Sequence, residues 1–195
     1  MPIGRPQEFD HDVVLDKAMQ LFWRHGYEAT SLSDLTGNMG LSKSSFYQAF
    51  GNKHELFLLC IERYQQKTAS EMRQDLQHCP SGYAFIKQML TRVSGEKSEL
   101  ANPRGSMVTN TATEFAQTDT AVAKSVRQGL KVFRKMFRQA IVKGQLDGSV
   151  SSRRSPGELA DYLLTSMSGL RTLVKAGTPA TTLQKSVNLV LESIQ

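Results

Sequence analysis

Residues 30–50 constrain this chain more than any other segment. In the run Thr30-Ser31-Leu32-Ser33-Asp34 a serine stands three residues before an acid, a variant of the capping box that predicts a short helix through about residue 39. Gly40 permits a tight turn, Leu41 supplies an apolar plug, and Ser42 is a good N-cap for a helix over 43–50. Helix, glycine-containing turn and helix in one short stretch form the helix-turn-helix signature, in which the second helix enters the DNA major groove.

The flanks extend the helical pattern. A first helix is predicted over 9–26, with Asp10 as its cap, a buried stripe of Val14, Ala18, Leu21 and Phe22, and Gly26 as its stop. Gly51-Asn52 breaks the chain, and a long helix over 53–77 carries Leu56, Phe57, Cys60, Ile61 and Tyr64 at helical period. Further helices are expected over 83–93, 106–116, 120–144, 156–176 and from 180 onward, with a polar loop over 94–105. No segment shows sustained alternation, so the fold class is all-α: an N-terminal three-helix domain over 1–52 and a C-terminal helical domain over 53–195, joined by the helix over 53–77.

Composition narrows the function classes. With 39% hydrophobic and 22% charged residues in a chain of 195, a wholly disordered protein is excluded. No apolar run reaches the ~20 residues of a membrane span, and residues 1–10 lack the apolar stretch of a signal peptide, so a cytoplasmic location is expected. Cys60 and Cys79 suggest neither a disulfide framework nor a zinc site, and His11, His25, His54 and His78 form no ligand set; no metal or cofactor is expected. The formal charge is +6, yet residues 1–60 hold five basic against seven acidic side chains. Bulk charge is therefore not the evidence for DNA binding by the N-terminal part; motif geometry is.

Ala18, Leu21-Phe22, Gly26-Tyr27, Thr30-Ser31-Leu32, Leu35, Gly40-Leu41-Ser42, Phe46-Tyr47, Phe50, Lys53 and Leu56 match, in type and spacing, a pattern that resembles the TetR/AcrR family of bacterial regulators. Gly4-Arg5-Pro6 and the stretch Leu21-Phe22-Trp23-Arg24-His25-Gly26-Tyr27 look most like the branch that includes repressors answering electrophiles and metal or oxidative stress. Pro103-Arg104-Gly105-Ser106-Met107-Val108-Thr109-Asn110 is similar to a segment of that branch's ligand domain, in which several relatives carry a cysteine where Ser106 stands. The resemblance implies a homodimeric transcriptional repressor that holds a palindromic operator and releases it on binding a small-molecule effector.

Specific residues follow. On the helix over 43–50, Lys43, Ser44, Ser45, Tyr47 and Gln48 are polar and early, where a recognition helix meets bases and phosphates; Gln48 can pair with adenine and Lys43 with guanine or phosphate. The resemblance assigns Tyr47 to phosphate. Thr30 and Lys53, with Ser42, stand at helix starts that present hydroxyl, ammonium and backbone N–H groups to phosphates, and Arg5 on its short arm suits an adjacent minor groove. Phe85, Met89, Met107, Thr111, Phe115, Phe133 and Phe137 are candidate linings of an effector pocket. Leu159, Leu163, Met167, Leu170, Leu183, Val187 and Leu191 make the last two helices more apolar than solvent-facing helices should be; a four-helix bundle with a second copy would cover them, as would burial within one chain.

Two other classes compete. A helical enzyme or electrophile scavenger would need an activated Cys or His, and the chain carries no G-x-S-x-G elbow, phosphate loop, H-E-x-x-H or dinucleotide fingerprint; no enzymatic activity is expected. A protein-binding adaptor would be indifferent to replacement of Lys43, Tyr47 or Lys53.

Overall fold

The computed structural model describes residues 9–99, 104–115 and 117–195, with side chains throughout except at 96–99. Arg5 lies outside the described residues. Among them are nine α-helices and no strand, divided between two compact units, Met1–Tyr64 and Gln65–Gln195.

The first unit contains α1 (His11–His25), α2 (Leu32–Met39), α3 (Lys43–Phe50) and the opening turns of α4 (Lys53–His78). Local chemistry sets each start. Asp10 Oδ1 accepts from the N–H groups of Asp12 (2.9 Å) and Val13 (3.2 Å), and Asn52 Oδ1 accepts from Glu55 N–H at 2.9 Å. Ser31 and Asp34 form a reciprocal capping box, which holds the Asp34 carboxyl below its usual range through the Ser31 hydroxyl and N–H. Gly40 ends α2 at φ 73°, a left-handed conformation that glycine reaches without a Cβ penalty.

Ala18, Leu35, Phe46, Leu56 and Ile61 are fully buried in this unit, and Phe22 meets Phe57 edge-on at 5.0 Å. Trp23 packs on Tyr64 in the same way, and Arg63 Nε donates to Asp16 at 3.0 Å. These contacts explain why the compact unit runs past residue 52, where Gly51-Asn52 suggested its end, to Tyr64: the first turns of α4 supply one wall of its core. α4 is one unbroken helix from Lys53 to His78, and the division falls within it.

In the second unit, α7 (Thr120–Leu146) packs against α5 (Gly82–Glu99), α6 (Met107–Phe115) and α8 (Pro156–Lys175), while α9 (Ala180–Glu192) lies on α5 and α8. The start of α5 meets the end of α7 backbone to backbone: a Cβ on Gly82 would collide with the Ala140 carbonyl and Gly144. α5 continues to Glu99, beyond the expected end near Val93. Ser94, which reads as a stop beside Gly95, instead accommodates the helix by donating its hydroxyl to Thr91 O (2.8 Å) and Gln184 Oε1 (2.9 Å).

The apolar residues of α8 and α9 require a correction. Leu159, Leu163, Met167, Leu170, Leu183, Val187 and Leu191, expected between two copies, are all buried within one chain, at most 8% exposed. They face α8, α9 and their neighbours because helix packing inside the unit already consumes that stripe. The outward surface carries Tyr162 (40% exposed), Leu173 (44%) and Leu189 (67%) instead.

Candidate nucleic-acid interface

The side chains of α3 sort by helical angle. Phe46 and Phe50 point inward, and Gly51 closes the helix at φ 70°. Ser44, Tyr47 and Gln48 share the opposite arc, about 100° wide at 100° per residue, and all three are exposed, Tyr47 by 52%. Lys43 is exposed at the first turn. This surface offers an ammonium, a hydroxyl, a phenol and a primary amide on one short rigid helix, the inventory needed to contact phosphates and base edges.

Ser42 and Ser45 have a different task. Ser42 Oγ accepts from Ser45 N–H at 3.1 Å and pairs with Ser45 Oγ at 2.9 Å, so the two hydroxyls build the N-cap of α3. Thr30 departs from expectation. It is 1% exposed, its hydroxyl donates to Gly26 O at 2.6 Å and its N–H to Tyr27 O at 3.2 Å, so both donors are spent on the turn between α1 and α2 and none is presented to a phosphate.

At the start of α4, Lys53 is half-buried, with its ammonium 4.1 Å above the centroid of the Tyr27 ring. That cation–π contact fixes a positive charge beside the helix N-terminus, where unpaired N–H groups already favour an anion. Tyr27 is held by Phe57 at 4.8 Å and Phe22 at 6.0 Å. Sequence reasoning found Lys53 but missed Tyr27 as its support; an aromatic between α1 and α2 reads as core.

A family model for bacterial regulatory proteins of the tetR family matches residues 14–60, and one for a tetracyclin repressor-like C-terminal domain matches residues 84–189. The chain belongs to the TetR family. Among relatives, the HTH-type transcriptional repressor ComR of Escherichia coli (strain K12) is 28% identical over 181 residues, covering 89% of this chain and 83% of that protein. The HTH-type transcriptional regulator YezE of Bacillus subtilis (strain 168) is 25% identical over 97% of this chain and 98% of its own length. A solved structure of the TetR family regulator CifR, a cysteine mutant complexed with 26-base-pair double-strand operator DNA, superposes with a TM-score of 0.81 at 30% identity, covering 98% of this chain and all of that one. The structure of reduced E. coli NemR shares the fold, with a TM-score of 0.83 at 18% identity. The TetR-family chain described here is thus a helix-turn-helix, DNA-binding transcriptional regulator.

The effector candidates lie on α7 and on two helices of the second unit that each pack against it: Phe85 and Met89 on α5, Met107, Thr111 and Phe115 on α6, Phe133 and Phe137 on α7. All but the half-buried Phe115 are buried. The buried polar side chains described in this unit, Gln65, Ser94, Ser106 and Thr111, are neutral.

Both thiols are free and buried. Cys60 is fully buried in the first unit and burial pushes its pKa far up, away from the thiolate. Cys79, between His78 and Pro80, is 8% exposed and donates to Gln88 Oε1 at 3.2 Å. Ser106 is buried and caps α6 by accepting from Thr109 N–H. Among the described residues no three His, Cys, Asp or Glu side chains group to hold a metal ion, and no helix is long and apolar enough to cross a membrane.

Proposed function

We propose that this regulator is a homodimeric repressor whose α3 surface of Lys43, Ser44, Tyr47 and Gln48 reads operator half-sites while Lys53 clamps a phosphate, and that a small-molecule effector in the second unit releases the DNA. The observation that carries the reading is the clean division of α3 between a buried aromatic side and an exposed polar side. The operator complex of CifR, whose chain is 30% identical, supports it. Tyr47 is assigned to phosphate, Gln48 to a base edge. The two-fold contact is assigned to the outward surface of α8 and α9, with Tyr162, Leu173 and Leu189 at its centre.

The effector reading draws on α4. Its later turns are tied to α7: Gln65 Nε2 donates to Ser125 O at 3.0 Å, and Lys143 Nζ donates to Leu76 O (3.1 Å) and Cys79 O (2.7 Å). A molecule inserted between α5, α6 and α7 that displaced α7 would pull α4, which continues into the first unit. Since the buried polar side chains described in this unit are neutral, the effector would be uncharged and mostly apolar. Linkage requires that effector and operator oppose each other equally, typically by about 1–3 kcal/mol.

The test is anisotropy of a labelled duplex from upstream of the protein's own gene, against a scrambled duplex. Preference for the promoter duplex that falls in Gln48→Ala, with Tyr47→Ala weakening both duplexes alike and neither change altering the melting temperature, is the expected result. Equal affinity for promoter and scrambled DNA across a set of promoter fragments contradicts the proposal.

A further inference from the structure

The charge of this chain sits in an unexpected place. Met1–Tyr64, the unit with the recognition helix, contains six basic and eight acidic side chains, so the surplus lies entirely in Gln65–Gln195, with eighteen basic against ten acidic. DNA-binding proteins draw much of their affinity from cations that displace counterions at phosphates. Here the recognition unit has no net supply of them.

The surplus is concentrated on one helix. α7 carries seven basic residues and no acidic one over its 27 residues. Two have structural partners: Arg134 pairs with Asp161, and Lys143 holds the carbonyls of Leu76 and Cys79. The other five, Lys124, Arg127, Lys131, Lys135 and Arg138, are all exposed. At 100° per residue they fall within an arc of about 80°, and at 1.5 Å rise they extend over about 21 Å. Arg134 and Lys143 lie at the margins of that arc or beyond it. The opposite side of α7, with Val122, Val126, Phe133, Met136, Phe137, Ala140 and Ile141, is buried.

We propose that this stripe is a second, sequence-independent binding surface for the phosphate backbone of double-stranded DNA. Five like charges in a row repel one another, and an anion outside the chain would relieve that repulsion. A small anion would engage one or two of the five; a line of about 21 Å matches an extended polyanion, and duplex DNA presents one charge per roughly 1.7 Å of axis. DNA rather than another polyanion is favoured because the same chain holds duplex DNA through α3, so duplex DNA is the polyanion it already meets. The inference rests on that reading only for the choice of polyanion.

The experiment compares the full-length protein with Lys124→Gln/Lys131→Gln/Lys135→Gln and with a control of equal charge change, Arg73→Gln/Lys87→Gln/Arg153→Gln, at exposed sites off the stripe. Affinity for a scrambled duplex is measured by anisotropy over a salt series, with circular dichroism as a check on folding. Loss of three phosphate contacts lowers the slope of log K against log salt by about 2.7, at roughly 0.9 per contact. The stripe variant should show a drop of at least about 2, and the control a drop of less than about 1. The double variant Lys131→Gln/Lys135→Gln should fall between them and serves if the triple fails to fold.

Equal slopes in stripe variant and control overturn the proposal, because net charge alone would then account for the effect. So does an unchanged scrambled-duplex slope accompanied by lost binding to vesicles containing anionic phospholipid, which would assign the stripe to a membrane surface. The ratio of promoter to scrambled affinity separates the two readings: it should survive in the stripe variant and fall in Gln48→Ala.

Discussion

Replacing Leu163 by alanine separates burial within the chain from burial between chains. Leu163 is 0% exposed on α8, which has α7, α5, α6 and α9 as neighbours. With packed helices on several sides, the site cannot collapse to fill the space of the lost methyl groups. A Leu→Ala change then costs the transfer free energy plus most of the cavity term, which places it in the upper part of the range of about 2.7–5 kcal/mol. At about 4 kcal/mol, and roughly 2–4 °C per kcal/mol for a chain of this size, the melting temperature should fall by about 8–16 °C. The loss should be independent of protein concentration, while the dimer constant measured by sedimentation equilibrium stays within a few-fold. Leu189→Asp, on the 67% exposed outward surface, should do the reverse, weakening association at least tenfold. A Leu163→Ala defect that disappears as protein concentration rises would refute the reasoning, since its burial would then depend on a second copy.

Three other outcomes follow from particular contacts. A Cβ at Gly129 would stand 2.7 Å from Gln65 Nε2, so Gly129→Ala should lower thermal stability by about 1–3 kcal/mol, and Gln65→Ala in the same chain should recover part of that loss in a double-mutant cycle. Asp34, Asp147, Glu158 and Asp161 all have carboxyls held below their usual range, by Ser31, by Ser149 and the Gly82 N–H, by Ser155 and by Arg134 respectively. A depressed folded-state pKa contributes stability above the unfolded value of about 4 and loses it as pH falls through the folded value, so urea midpoints should be flat from neutrality to about pH 5 and decline below pH 4. Asp147→Asn should shallow that decline. Ser42→Ala should cost about 1 kcal/mol through the cap of α3, read by urea titration, since the hydroxyl serves Ser45 N–H in the free protein.

What sequence could reveal depended on how locally each feature is determined. The starts of α1 to α4 were legible because Asp10, Ser31 with Asp34, Ser42 and Asn52 act within three residues of themselves. The exposed arc of α3 was legible for the same reason: its two phenylalanines fix which side is buried. The end of α5 was not, because Ser94 is kept helical partly by Gln184, ninety positions away. Thr30 misled because residue type says that a hydroxyl exists, not that Gly26 O already holds it. In α8 and α9 both sides carry apolar residues, and periodicity cannot say which is turned to α5 and α7 and which to the outside. The position of Cys79 was hidden likewise, since its cover comes from Gln88 on the next helix.

The central claim, that α3 reads bases while Lys53 only clamps, is tested most directly by a binding-site selection on randomised operator half-sites with the unsubstituted protein, Gln48→Ala and Lys53→Ala. The account predicts that Gln48→Ala relaxes preference at one base position by about 1–3 kcal/mol, while Lys53→Ala weakens binding to all sequences alike and lowers the salt slope by about 1. Identical base preferences in the unsubstituted protein and Gln48→Ala, or a changed preference in Lys53→Ala, would contradict it.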